Sequence, residues 1–79
     1  MNLGNLDSAV TSLEWALAYS PNYAEAHNNL GTVFKKLAES RKAISCYEKS
    51  IKIKPNLADA HFNLGIVFSE FSKLGLSDK

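Results

Sequence analysis

The sequence predicts an all-α fold, a short right-handed α-solenoid of four helices arranged as antiparallel hairpins. Three observations predict it. The stretch from Pro21 to Phe34 returns 34 residues later, from Pro55 to Phe68, with ten of fourteen positions identical. Self-similarity at a fixed period of this length marks a stacked repeat rather than a closed globular core. Four segments carry apolar residues spaced by three and four, the spacing of one helix face. Pro21 and Pro55 separate those segments, and proline clashes with a continuing helical turn and disfavours the helical state of the residue before it.

The elements follow in order. The first helix is expected from about Leu6 to Tyr19, with Ala9, Val10, Leu13, Ala16 and Leu17 on one stripe, and Asn5 or Asp7 capping its free amides. The second runs from about Tyr23 to Leu37 on Ala26, Leu30, Val33, Phe34 and Leu37. The third spans about Ser40 to Lys52 on Ala43, Ile44, Tyr47 and Ile51. The fourth spans about Leu57 to Phe71 on Ala60, Leu64, Val67, Phe68 and Phe71, with the tail Gly75 to Lys79 frayed. An asparagine after each proline suits the turn. Connections this short force consecutive helices to lie antiparallel as neighbours.

Composition narrows the function. A chain of 79 residues makes at most one small domain, burying roughly 60 per cent of its unfolded surface. Its 46% apolar and 22% charged content is ordinary for a folded chain. A net charge of +1 supplies no long-range attraction for nucleic acid or an anionic membrane, and neither partner is expected. The single cysteine, Cys46, excludes an internal disulfide framework and a cysteine-rich zinc site. No apolar run approaches a membrane span, and the N-terminus lacks the basic and apolar blocks of a secretion signal. A soluble, intracellular chain is the expectation; the compartment itself is not legible.

The residues Leu30-Gly31-x-x-Phe34, Ala43-x-x-x-Tyr47 and Pro55, on a 34-residue period, resemble the tetratricopeptide repeat. By that resemblance Ala24 to Leu57 is one complete repeat of two helices. Residues 1–23 match the second helix and exit turn of a preceding repeat. Residues 58–79 match the first helix of a following repeat and a tail. The implied function is protein–protein interaction through a surface that grips a partner protein or an extended peptide.

Two positions depart from the family pattern. The inter-helix turn reads Leu37-Ala38-Glu39-Ser40 where Gly is usual, whereas Gly4 keeps it in the preceding partial repeat. Glycine suits a left-handed helix end; Ala38 would cost on the order of 1 kcal/mol there. Ser72 takes the next equivalent place, after Phe71. The hairpin is expected to form regardless, with Ser40 capping the new helix. The competing outcome is a continuous rod through residues 37–41 that exchanges hairpin halves with a second chain. Open ends such as Val67-Phe68-Phe71 also invite self-association, so a homo-oligomer or a domain-swapped repeat fragment is the second functional reading.

Gly31 and Gly65 are expected to admit close approach of a neighbouring helix. Leu30, Phe34, Ala43, Tyr47, Leu64 and Phe68 should fill the contact between helices. In the family the concave wall is lined by the exposed face of each first helix. Carried over by position, that wall is Glu25, Asn28, Asn29, Thr32, Lys35 and Lys36, then Asp59, Phe62, Asn63, Ile66, Ser69 and Glu70. Their spacing independently forms one stripe opposite the apolar one. Asn29 and Asn63 share a repeat position, so stacking sets one above the other. Such a column of asparagines resembles the repeat region of O-GlcNAc transferases, where amides hold a peptide backbone; an amide offers a donor and an acceptor to each peptide group. That resemblance implies a third reading, the substrate-recognition arm of a larger glycosyltransferase. The carboxylate clamp found in other members is not expected, because the matching places hold no basic residue. Lys35 and Lys36 read as a solvated helix end near its negative pole.

His27 and His61 lie one repeat apart at a place the family fills with an aromatic packed between helices, and packed histidine is the expectation. No set of ligands at coordinating spacing accompanies them, so no metal is expected. Cys46 has only Lys42, Lys49 and Ser50 at helical spacing and reads as unreactive. Trp15 aligns with the outward Lys49, covering apolar surface or marking a contact between chains. Glu14 and Glu48 align by repetition and read as surface charges. With no nucleophile and base pair, phosphate loop or paired acids, the chain is expected to be no enzyme and to carry no cofactor.

Overall fold

The structure, a computed structural model, describes residues 3–73, with side chains from residue 5 onward. Four helices follow one another: α1 (Leu3–Tyr19), α2 (Ala24–Lys36), α3 (Ser40–Ile53) and α4 (Ala58–Lys73). Among the described residues there is no strand. Each helix packs on the next in chain order, and α2 also meets α4. Nearest-neighbour stacking of this kind is the solenoid arrangement. The molecule measures 37 × 32 × 18 Å, and its thin dimension holds two helix layers at ordinary spacing.

Two helix starts, those of α1 and α3, differ from the expected capping. Helix α1 begins at Leu3, so Asn5 and Asp7 lie inside it and do not cap it. The exit turns after α1 and α3 repeat bond for bond. The Tyr23 amide donates to the Ser20 carbonyl at 3.0 Å, and the Leu57 amide donates to the Lys54 carbonyl at 3.1 Å. Across each turn a histidine reaches back. The His27 Nε2–H donates to the Pro21 carbonyl at 3.0 Å and the His61 Nε2–H to the Pro55 carbonyl at 2.7 Å. The expected packing of these rings between helices is therefore corrected: they tie the start of each first helix to the turn before it. His61 is exposed and His27 half-buried.

The turn between α2 and α3 closes as a hairpin. Ala38 adopts φ 65°, the left-handed conformation, and donates to the Lys35 carbonyl at 3.0 Å while Glu39 donates to the Phe34 carbonyl at 2.9 Å. This pair of bonds satisfies the last carbonyls of α2, the arrangement that glycine usually supplies. Ser40 is the first helical residue of α3 and does not cap it; Glu39 precedes it without a side-chain capping bond. Glu39 pairs instead with Lys42 at 3.3 Å, and Lys42 lies 5.5 Å from the Phe34 ring centroid. Burial of α2 against α3 outweighs the local strain at Ala38.

The core is the stack of Ala43, Tyr47 and Val67, with Phe34, Ile44 and Leu64 packed against it. Leu30 is also buried. Gly31 is needed for this core. A Cβ on it would meet Tyr47 Cε1 at 2.7 Å, so only a hydrogen at this position lets the ring lie on the helix. Gly65 does not repeat the relationship: no atom lies within 4 Å of the place its Cβ would take. The expectation for Gly65 and for a fully packed Phe68 is corrected, since the helix that would cover them is not among those described. Phe68 is 46% exposed, whereas Val67, expected at the open end, is buried at 1%.

Candidate functional site: the seam between α2 and α4

The twelve wall residues lie on α2 and α4, the two helices that meet along one side of the array. Their exposure divides them. Glu25, Asn29 and Lys36 on α2 are exposed, as are Asp59, Phe62, Ser69 and Glu70 on α4. Thr32, Lys35, Asn63 and Ile66 are half-buried. Asn28 is buried at 9%, which corrects its placement on an exposed face.

Asn28 is buried because it joins the two helices. The Asn63 Nδ2–H donates to Asn28 Oδ1 at 3.1 Å. The amide facing Asn63 is thus that of Asn28 and not of Asn29, the residue one period before it. The 34-residue spacing equates helix positions, but the helices cross with an offset, so contact falls on the preceding residue. Among the described residues neither Asn28 Nδ2 nor Asn63 Oδ1 is bonded further. One donor and one acceptor stay on offer at the seam, the pair that a peptide group requires.

A hydroxyl chain backs this amide pair. Thr32 Oγ1 donates to the Asn28 carbonyl at 3.2 Å and lies 2.9 Å from the Tyr47 hydroxyl, which donates to it. Burial pushes the Tyr47 phenol up from its ordinary value, a rise opposed by the Thr32 hydrogen bond. The phenol is neutral near neutrality and serves as a donor. Thr32 is thereby committed to the fold as much as to any ligand. At the start of α2, Ser50 Oγ donates to the Ala24 carbonyl at 2.8 Å, within a fully buried contact.

Sequence reasoning missed a second concavity. An open groove of about 520 Å³ lies among Leu17, Pro21, Asn22, His27, Lys49, Lys52 and Ile53, at the junction of α1, its exit turn and α3. The signal was present in Leu17 and Ile53, apolar residues late in their helices, but no local pattern says that two such ends converge. Elsewhere, burial and Glu14 push the Cys46 thiol up while Lys49 acts in the opposite direction; burial is the largest influence. Trp15 is 62% exposed. Among the described residues no group of three metal-ligating side chains occurs, and no helix is long and apolar enough to cross a membrane.

Comparison with known proteins agrees with this architecture. A TPR repeat model matches residues 1–37, and two tetratricopeptide repeat models match residues 24–57 and 46–79. Among curated proteins none matches the chain at a significant level. The crystal structure of MamA is similar at a TM-score of 0.81 and 34% identity, covering 94% of this chain. The chain spans 42% of the length of MamA. Repeats of this type are generally protein–protein interaction modules and scaffolds without chemistry of their own. Stacked hairpins, the Gly31–Tyr47 contact and three repeat models that together run from residue 1 to residue 79 lead to one conclusion: the chain is an array of tetratricopeptide repeats.

Proposed function

We propose that the chain binds a partner protein by holding an extended segment of it along the α2–α4 seam, and performs no reaction. The observation that carries this reading is the amide pair of Asn28 and Asn63. It leaves one donor and one acceptor fixed relative to each other by a bond, so little side-chain freedom is lost when a peptide group docks. Exposed Asn29 and Phe62 follow Asn28 and precede Asn63 in the chain, adding a third amide and an aromatic surface. Residues 24–57 act as the one complete repeat, with residues 1–23 and 58–79 as partial repeats on either side. Lys36 and Glu70 set opposite charges at matching ends of the two wall helices.

A peptide array of degenerate sequences, probed with the wild-type chain and with Asn63→Ala, tests the reading. Recognition of backbone predicts that Asn63→Ala weakens binding to all captured sequences alike, with helicity intact. Binding that survives Asn63→Ala and the double variant Asn29→Ala/Asn63→Ala would move the site off this wall. A narrower reading, resting on Asn29 and Asn63 at one repeat position, makes the array the substrate-recognition arm of a glycosyltransferase whose catalytic part lies outside these residues. It requires that this chain compete with such an enzyme for its peptide substrate.

A further inference from the structure

Helices α1 and α3 each pack on α2 but make no close backbone approach to one another. Between them lies the open groove of about 520 Å³, which shares no lining residue with the α2–α4 wall. Leu17 of α1 and Ile53 of α3, both half-buried, give it apolar surface. Its charged side chains are of one sign: Lys49 and Lys52 are exposed, and no carboxylate lines it. Among the described residues neither lysine takes part in an ion pair. Glu14 acts on the Cys46 thiol in the opposite sense to Lys49, yet it is not a lining residue. The His27 bond to the Pro21 carbonyl at 3.0 Å fixes the turn that closes one end, so little ordering is left for a ligand to impose.

The repeat supplies an internal comparison. Pro21, Asn22 and His27 return one period later as Pro55, Asn56 and His61, and Leu17 returns as Ile51. The lysines do not recur in this way. One period before Lys49 and Lys52, the same places on α1 hold Trp15 and Ala18. A helix of this kind therefore forms without a cation at either place. Lys52 lies in the last turn of α3 and partly complements its negative pole. Lys49 lies before that turn, where the attraction has faded.

We infer that this groove docks an acidic segment of a partner protein, one that carries an aliphatic side chain beside its carboxylates. Charge complementarity selects the acids, and Leu17 and Ile53 select the aliphatic group. Lys49 and Lys52 are three residues apart on α3, which sets their Cβ atoms about 5–6 Å from each other. Alternate side chains of an extended segment stand roughly 6.5 Å apart on one face. A Glu-x-Glu spacing therefore meets both lysines, and the next residue on that face reaches the apolar surface. A compact small molecule suits the site less well, because an open groove lacks the enclosure that buries roughly 70–90% of such a ligand.

Proton–nitrogen correlation NMR of the 79-residue chain tests this, by titration with the end-capped peptide Glu-Ala-Glu-Ala-Leu. Shifts should gather on the amides of Leu17, Asn22, His27, Lys49 and Ile53, and should fade as salt is raised. The double variant Lys49→Gln/Lys52→Gln, at exposed sites, should keep its helicity by circular dichroism and bind about tenfold more weakly. Replacing the peptide's leucine with alanine should weaken binding several-fold. Asn63→Ala should leave it unchanged, which separates this site from the α2–α4 wall. Absence of shifts at millimolar peptide overturns the inference. Equal binding of Lys-Ala-Lys-Ala-Leu, or binding indifferent to the lysine pair, overturns it too. If inorganic phosphate alone gives the same shifts at the same concentration, the groove takes small anions and the peptide reading fails. The peptide series uses only the wild-type chain, so it decides even where a substitution unfolds the protein.

Discussion

The ring of Tyr47 lies so close to Gly31 that a Cβ on that glycine would stand 2.7 Å from Cε1. Nothing comparable faces Gly65, although the two glycines sit one repeat apart in matching sequence. The pair gives an internal control. Gly31→Ala should destabilise the chain by about 1–2 kcal/mol, overpacking of roughly 1–3 kcal/mol being offset in part by alanine's better helix propensity. Gly65→Ala should stabilise it by up to about 1 kcal/mol through that propensity alone. Thermal denaturation of the two variants beside the wild type decides; equal effects at both sites would deny the Gly31–Tyr47 contact.

Tyr47 makes the fold sensitive to alkali. Its phenol is raised in the folded chain by burial, so the folded state holds the proton more tightly than the unfolded state does. The stability this contributes is fully present below the unfolded value, roughly pH 10, and is lost as pH rises toward the folded one. Tyr47→Phe should remove that alkaline loss. At neutral pH it should cost about 1 kcal/mol for the hydrogen bond to Thr32. Denaturant midpoints followed from neutral to strongly alkaline pH would show the two curves converging, and parallel curves would contradict the assignment.

Ala38 holds φ 65° with an alanine side chain. Ala38→Gly should relieve strain and raise stability by about 1 kcal/mol. It should also suppress any exchange of hairpins between chains, because glycine favours the turn over a continuing helix. A drop in stability on this substitution would mean that the turn does not adopt the left-handed conformation.

The Cys46 thiol is held protonated chiefly by burial. Near neutral pH its reaction with a disulfide reagent should be several-fold slower in the folded chain than in denaturant, since the thiolate is the attacking species. Modification at the denatured rate without loss of helicity would show that the thiol is not shielded.

Leu30, Ala43 and Tyr47 were legible as interior from spacing alone, and all three are buried. The turns after Ser20 and Lys54 were legible from proline, although α1 begins earlier than its polar residues suggested. The candidate wall was legible as a stripe. Its central contact was not, because Asn28 lies in the exposed half of an isolated helix and becomes buried only when α4 arrives beside it. The histidines were misread for a related reason. An imidazole can pack between helices or bond a carbonyl, and only the backbone path at Pro21 and Pro55 brings an acceptor within 3.0 Å.

By itself, then, the amino-acid order determined the repeat period, the four helices, the places where they turn and the side chains they bury first. Those follow from short-range sterics and from apolar periodicity, which each segment carries within itself. The tertiary structure alone decided that Gly31 is filled and Gly65 empty, that Asn63 pairs with Asn28, and that an alanine takes the left-handed turn. Each of these depends on which helix stands next to which and with what offset, a relationship that identical local sequence in two repeats does not specify.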